Sequence, residues 1–149
     1  MEIRYGALVI DVPADWSDQS SLLFVAPASA NDLPSTVKVE EPVETLSLRI
    51  VPHDDQTAQQ MLDREEEKLL AVAAKPEVVE DAPFTCPLGN GWQRVHKVKI
   101  AGAPLRQICV VVVVGRLAVL ATATSGEARF ARVRPQLEHA LASLKRASA

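Results

Sequence analysis

An α+β fold is predicted, with an antiparallel sheet carrying helices on one face and leaving the other face partly open. Three observations point to it. The apolar content consists of small and β-branched side chains, 21 Ala and 19 Val against six aromatic residues in 149, which suits a pleated sheet better than a helical core. Two segments repeat apolar residues at helical spacing. Three consecutive apolar segments late in the chain are joined by connections short enough for antiparallel hairpins. The length fits a single domain over residues 1–149.

Taken in order, Tyr5 to Val12 alternates loosely and stops at Pro13. The polar turn Ala14-Asp15-Trp16-Ser17-Asp18 then leads to a second short strand, Ser21 to Val25, so the two read as an opening hairpin. Residues 26–44, with Pro27, Pro34 and Pro42 among Ser, Asn, Asp and Glu, read as a long surface loop. Thr45 to Val51 alternates cleanly, with Leu46, Leu48 and Ile50 on one side and Thr45, Ser47 and Arg49 on the other. Asp54 and Asp55 are placed to cap a helix over Gln56 to Ala74, whose apolar stripe is Ala58, Met61, Leu62, Leu69, Val72 and Ala73. After Pro76 come a short strand near Val78 and Val79 and a turn rich in Pro and Gly (Pro83, Pro87, Gly89, Gly91). Three strands follow, about Trp92 to Ile100, Leu105 to Val114 and Leu117 to Thr124. A last helix repeats Phe130, Val133, Leu137, Leu141 and Leu144 at spacings of three and four; Pro135 either kinks it or marks the first turn of its main segment.

Several function classes are excluded or disfavoured. Sixteen basic and 19 acidic residues, mixed along the chain, give a net charge of -3, so no phosphate-tracking surface and no nucleic-acid partner are implied. The start of the chain lacks the basic and then apolar pattern of a secretory signal. No stretch reaches the roughly 18 to 20 apolar residues of a membrane span, so a cytoplasmic protein that does not itself insert into membranes is expected. Cys86 and Cys109 are too few and too far apart for a disulfide framework or a zinc site, and both read as reduced and buried.

Catalytic constellations are not evident. His53, His96 and His139 have no partners at metal-ligand spacing and read as surface or capping residues. Cys109 lies within Ile108-Cys109-Val110-Val111, where a desolvated thiolate is disfavoured. Glu65-Glu66-Glu67 reads as a solvated helix face, since consecutive helical residues do not face one another. No nucleophile elbow, phosphate-binding glycine loop or dinucleotide fingerprint occurs. The expectation is a protein that is not an enzyme and needs no cofactor or metal.

The informative anomaly is a strand apolar on both sides. Leu105, Gln107, Cys109, Val111 and Val113 form one face of the segment Leu105 to Val114, and Ile108, Val110, Val112 and Val114 form the other. If Gly115-Arg116 is a two-residue turn, Val114 pairs with Leu117, so Val119 and Ala121 join the helix-covered face while Ala118, Leu120 and Thr122 join the second. The same parity places Ser21, Leu23 and Val25, together with Thr45, Ser47 and Arg49, on that second face. Such a shallow surface of small apolar and hydrogen-bonding residues marks a partner site, unless self-association, another helix or the long loop covers it.

Certain residues resemble a known family. Leu8-Val9-Ile10-Asp11-Val12-Pro13-Ala14-Asp15-Trp16-Ser17-Asp18-Gln19-Ser20 is similar to the opening of the DcrB-related proteins, in which a first strand runs into a Pro-x-x-Trp turn and an Asp-Gln-Ser. Leu105-Arg106-Gln107, the valine-rich strand, Gly115-Arg116 and Leu120-Ala121-Thr122-Ala123-Thr124 resemble the late hairpin of the same family. The resemblance implies a PsbP-like sandwich. Its members with this opening include the effector-associated (Eag) chaperones of bacterial type VI secretion, typically dimers that shield the apolar N-terminal transmembrane helices of PAAR-type effectors in the cytoplasm. By that likeness the chain is a homodimeric chaperone or adaptor, the alternative being a PsbP-like protein interaction module of another assembly. The implied client surface is the open sheet face: Ser21, Leu23, Thr45, Ser47, Arg49, Gln107, Cys109, Val111, Ala118 and Leu120. Ser21 stands where those chaperones carry an aliphatic residue, and Arg49 where they carry a small polar one.

Overall fold

A computed structural model describes residues 2–5, 8–16, 21–27 and 43–146. The Asp18-Gln19-Ser20 segment and residues 28–42 of the expected long loop lie outside the described residues. The elements are β1 (Glu2–Tyr5), β2 (Leu8–Asp11), β3 (Ser21–Val25), β4 (Thr45–Pro52), α1 (Ala58–Leu70), β5 (Ala73–Cys86), β6 (Gly89–Ile100), β7 (Ala103–Val114), β8 (Leu117–Gly126) and α2 (Glu127–Ala142). Six strands form an antiparallel sheet in the order β3-β4-β8-β7-β6-β5.

The class and the sheet are as expected, and so is the register that sorts its side chains. Gly115, at φ 61°, supplies the left-handed backbone of a two-residue turn. Val114 therefore pairs with Leu117, Val111 with Leu120, Leu120 with Arg49, and Arg49 with Ser21. Every strand assigned to the second face by parity does present those residues on one side.

The helix placement needs correction. Both helices were expected on one face; they lie on opposite faces. On one side, Phe130, Leu137 and Leu141 of α2 pack on Ile108, Val110, Val112, Ala121 and Ala123. On the other, Met61 and Leu62 of α1 pack on Val111, Ala118 and Leu120. The physical reason is the two-sided apolar character of β7, which requires cover on both sides. One helix serves each face, so the second face is open only where α1 does not reach.

Other differences have local causes. The expected opening hairpin does not form: β2 pairs with β1 as a separate ribbon, and β3 pairs with β4. The N-cap of α1 is Thr57, whose hydroxyl accepts from the Gln60 backbone N–H while the Gln60 side chain accepts from the Thr57 N–H, a reciprocal capping box that displaces the expected Asp54 or Asp55. The helix ends at Leu70, and Ala73 and Ala74 open the 14-residue strand β5. That strand is longer than the short one expected because β5 is an edge of the sheet, where Pro76 and Pro83 need donate no ladder hydrogen bond. Irregularities between Ala74 and Glu77 and between Val78 and Glu80 absorb the change of register.

Gly91 is required for a different reason, close approach. A Cβ at this position of β6 would collide with the Val111 carbonyl and lie 3.0 Å from the Val112 Cα, both backbone atoms of the central strand. Gly91→Ala is therefore expected to force β6 from β7 and to destabilise the fold by about 1–3 kcal/mol, the usual range for overpacking. Urea denaturation checks it, and an unchanged midpoint would contradict the close approach.

Candidate functional site

The site is the part of the second face that α1 leaves uncovered. Two cross-strand rows build its floor. Pairing aligns Val25, Thr45, Thr124, Gln107 and His96 across five strands, and beside them Leu23, Ser47, Thr122, Cys109 and Arg94. The next row, Ser21, Arg49, Leu120, Val111 and Trp92, runs beneath α1. Helix α1 thus rises as a wall along one side of the two polar rows and encloses a groove of about 330 Å³. Adjacent strands are about 4.8 Å apart, so four steps from β3 to β6 make it roughly 19 Å long.

The groove is graded from rim to end. Leu23 on β3 and Val72 just beyond α1, each 65% exposed, form an aliphatic rim. The floor is half-buried and hydroxyl-rich: Thr45, Ser47, Thr122 and Thr124 flank Gln107 and Cys109. These groups partly satisfy one another. The Gln107 amide donates to the Thr124 hydroxyl at 3.3 Å, and the Thr122 hydroxyl lies 3.9 Å from the Cys109 sulfur. At the β6 end lies His96, only 2% exposed.

Charge is concentrated where α1 meets the sheet. Arg94 on β6 is buried, with Nη1 donating to Asp63 of α1 at 2.5 Å and contacting Glu66 at 3.4 Å, while Nε donates to Asp81 of β5 at 3.1 Å. On the other side of the helix Arg49 of β4 donates to Glu65 at 2.6 Å, and Lys68 lies 3.0 Å from the same oxygen. A hydrogen bond from the Trp92 indole, reinforced by Arg94, holds the Asp81 carboxyl below its ordinary value despite some desolvation.

Most of the expected client face is brought together here. Leu23, Thr45, Ser47, Gln107 and Cys109 line the groove. Val111 and Leu120 contribute to its lining but are themselves buried against α1, and Ala118 is wholly buried beneath that helix. Ser21 is exposed on β3 outside the groove, and Arg49 lines a smaller cavity on the far side of Glu65. Gln107 has Thr124 and His96 on its flanking strands.

Two expectations are overturned. Glu65 and Glu66 are half-buried and line the groove as α1's ion-pairing side, because α1 sits on this face rather than with α2. His96 is not a surface or capping residue. His53 and His139 do fit that reading, His53 contacting the Gln56 carbonyl and His139 lying exposed in the last turn of α2. Parity could have found His96: carried one hairpin further through the Ala101-Gly102 turn, it sets His96 beside Gln107 on the second face.

Burial pushes the Cys109 thiol up to about 11, with the Thr122 hydroxyl pulling weakly the other way, so at neutral pH it is a thiol and a poor nucleophile. Among the described residues no three His, Cys, Asp or Glu side chains gather to hold a metal, and no helix is long and apolar enough to cross a membrane.

Several solved structures share this architecture. The fold is that of the PsbP and Mog1 type. PA94 of Pseudomonas aeruginosa, a protein of unknown function described as a candidate regulator, superposes with a TM-score of 0.73 at 15% identity over 100% of this chain and 98% of its own. The cyanobacterial PsbP of Synechocystis gives 0.51 at 12% identity over 90% and 96% of the two chains. The Ran-binding protein Mog1p of Saccharomyces cerevisiae gives 0.50 at 10% identity over 93% and 82%. At such identities the likeness shows the fold alone. No family model matches the sequence, and no curated protein matches it significantly.

His96 makes stability depend on pH. Burial holds its imidazole below the ordinary value, and the nearby Glu66 carboxylate only partly offsets this. The unfolded chain therefore binds the proton more readily, so the contribution is present above the ordinary pKa of about 6.5 and is lost as pH falls below it. Stability is expected to drop between pH 7 and 5 by up to about 1.4 kcal/mol per pH unit. His96→Phe should flatten that window in urea titrations, and an equal slope in both proteins would contradict it.

Proposed function

We propose that the chain is a non-enzymatic chaperone or adaptor of the cytoplasm that holds an apolar N-terminal helix of a type VI secretion effector in the groove beside α1 until export. The observation that carries this reading is the combination of an exposed aliphatic rim at Leu23 and Val72 with a floor of small side chains at Thr122, Thr124 and Cys109. A floor of short residues admits a helix backbone closely, as small residues do between membrane helices. The resemblance of the opening segment and late hairpin to the DcrB-related chaperones supports the same occupant. Burying on the order of 400 Å² of apolar surface would contribute roughly 10 kcal/mol gross, much of it offset by lost freedom on association.

The hydroxyls of the floor favour a second reading, a PsbP-like interaction module of another assembly that binds a more polar segment. Co-expression with the apolar N-terminal segment of a PAAR-type effector separates the two. Wild type should keep that segment soluble and co-purify with it. Leu23→Asp should reduce capture about tenfold or more while leaving circular dichroism unchanged, because Leu23 is 65% exposed and supports no core packing. Retained capture by this variant would remove the groove from the reading. Leu120 is unsuitable for the same test, since it is buried beneath α1.

A homodimer is part of the proposal. Strand β3 ends the sheet, pairs among the described residues with β4 alone, and exposes Leu23, Phe24 and Val25 by more than half. An uncharged edge strand with apolar residues on both faces invites pairing with a second copy. Light scattering at micromolar concentration should give twice the 16.1 kDa of one chain; a monomer mass without client would set this part aside.

A further inference from the structure

The feature that the proposed function does not use is His96. Its side chain is 2% exposed and lines the β6 end of the groove, and neither ring nitrogen has a hydrogen-bond partner among the described residues. Leaving a polar group buried and unpaired costs about 1–3 kcal/mol, so a sheet position that could hold valine carries a penalty for holding histidine. The nearest polar atoms do not relieve it. Glu66 Oε1 is 3.8 Å from Nε2, beyond hydrogen-bond reach, and the Gln107 amide is directed to Thr124.

We propose that the β6 end of the groove is a polar subsite that receives one hydroxyl or carboxamide side chain from the helix occupying the groove, with His96 as the residue that recognises it. The inference rests on the groove being a helix-binding site. The chemistry of the surroundings selects the class of group. A neutral imidazole offers one donor and one acceptor. A carboxylate entering here would face Glu66, and a cation would have to compete with Arg94 for that same carboxylate, so a neutral group is favoured over either charged class. A neutral group that donates and accepts can bond the imidazole and turn its other function to the Glu66 carboxylate or the Gln107 carbonyl. The subsite is about 19 Å, four strand spacings, from Leu23 on β3. An occupying helix rising 1.5 Å per residue would then carry the polar side chain about 13 residues from the one that meets Leu23. Leu23 would supply affinity at one end and His96 register at the other.

Two synthetic helices test this: a lysine-flanked Leu/Ala peptide of about 20 residues, and the same peptide with a single Asn placed towards one end, about 13 residues from the leucine nearest the other end. Binding of labelled peptide in mild detergent is followed by fluorescence anisotropy. Wild type should bind the Asn peptide about tenfold more tightly, the scale of one buried hydrogen bond. His96→Phe should lose that preference and bind the all-aliphatic peptide at least as well, whereas His96→Gln, which keeps a donor and an acceptor, should retain part of it. Equal binding of the two peptides by wild type would overturn the subsite, as would an unchanged preference in His96→Phe. If the Phe variant does not fold, the wild-type comparison and His96→Gln still decide. Failure of both peptides to bind wild type would overturn the helix-binding reading and the subsite with it, whereas equal binding lost in Leu23→Asp would overturn the subsite and leave the groove standing.

Discussion

The position of α1 on the sheet decides everything about the site, and it is set by apolar anchors and steered by one buried guanidinium. Met61 and Leu62 are nearly inaccessible against Val111, Ala118 and Leu120. At about 1.5–3 kcal/mol for each fully buried side chain, these two outweigh any surface ion pair of the helix. Apolar burial alone would allow the helix to rotate or slide over a floor of similar residues. Arg94 resists this. Its side chain is 10% exposed and bonds Asp63 on the helix and Asp81 on β5 in one geometry. A buried guanidinium stripped of its carboxylates is strongly destabilising, whereas replacing a whole buried ion pair by apolar residues is often neutral. The arginine is therefore better understood as fixing the angle of α1, and so the width of the groove, than as a source of net stability.

The parity of the sheet was legible because it rests on short-range chemistry. A Gly-Arg pair between two apolar runs implies a tight hairpin, and one hairpin fixes which residues share a face over the whole of β7 and β8. The clean alternation of Thr45 to Val51 extended that face to a third strand. The layer order was not legible in the same way. Which face a helix covers depends on chain connections and on long-range packing, and the amphipathic stripe of α1 fits either side equally well. The one local clue was the valine run of β7, apolar on both faces, which already demanded cover on each.

The errors about single residues follow from that one misplacement. With α1 beside α2, Glu65 and Glu66 would point to solvent and His96 would lie on a bare strand. Once α1 is set on the second face, the same glutamates meet Arg49 and Arg94, and the histidine is buried at the end of the groove beside Glu66. Strand β5 is longer than the sequence suggests for an independent reason: Pro76 and Pro83 are breakers in a central strand but are tolerated on an edge, and edge status is a property of the completed sheet.

The polarity of the groove floor is compatible with an apolar occupant when the unoccupied state is considered as well. A floor of leucine and valine along 19 Å, about four strand spacings, would leave an exposed apolar patch of the kind that drives unspecific association. Threonine, serine and cysteine avoid this. Their hydroxyl and thiol groups bond one another or solvent when the groove is empty, yet are short enough for a helix backbone to approach. Large apolar side chains lie at the rim, where Leu23 and Val72 are exposed, and along and beneath α1. On the proposed reading, affinity depends on an occupant long enough to touch the rim and narrow enough to reach the floor, a shape that an α-helix with small residues along one face has and an extended strand or a bulky loop does not.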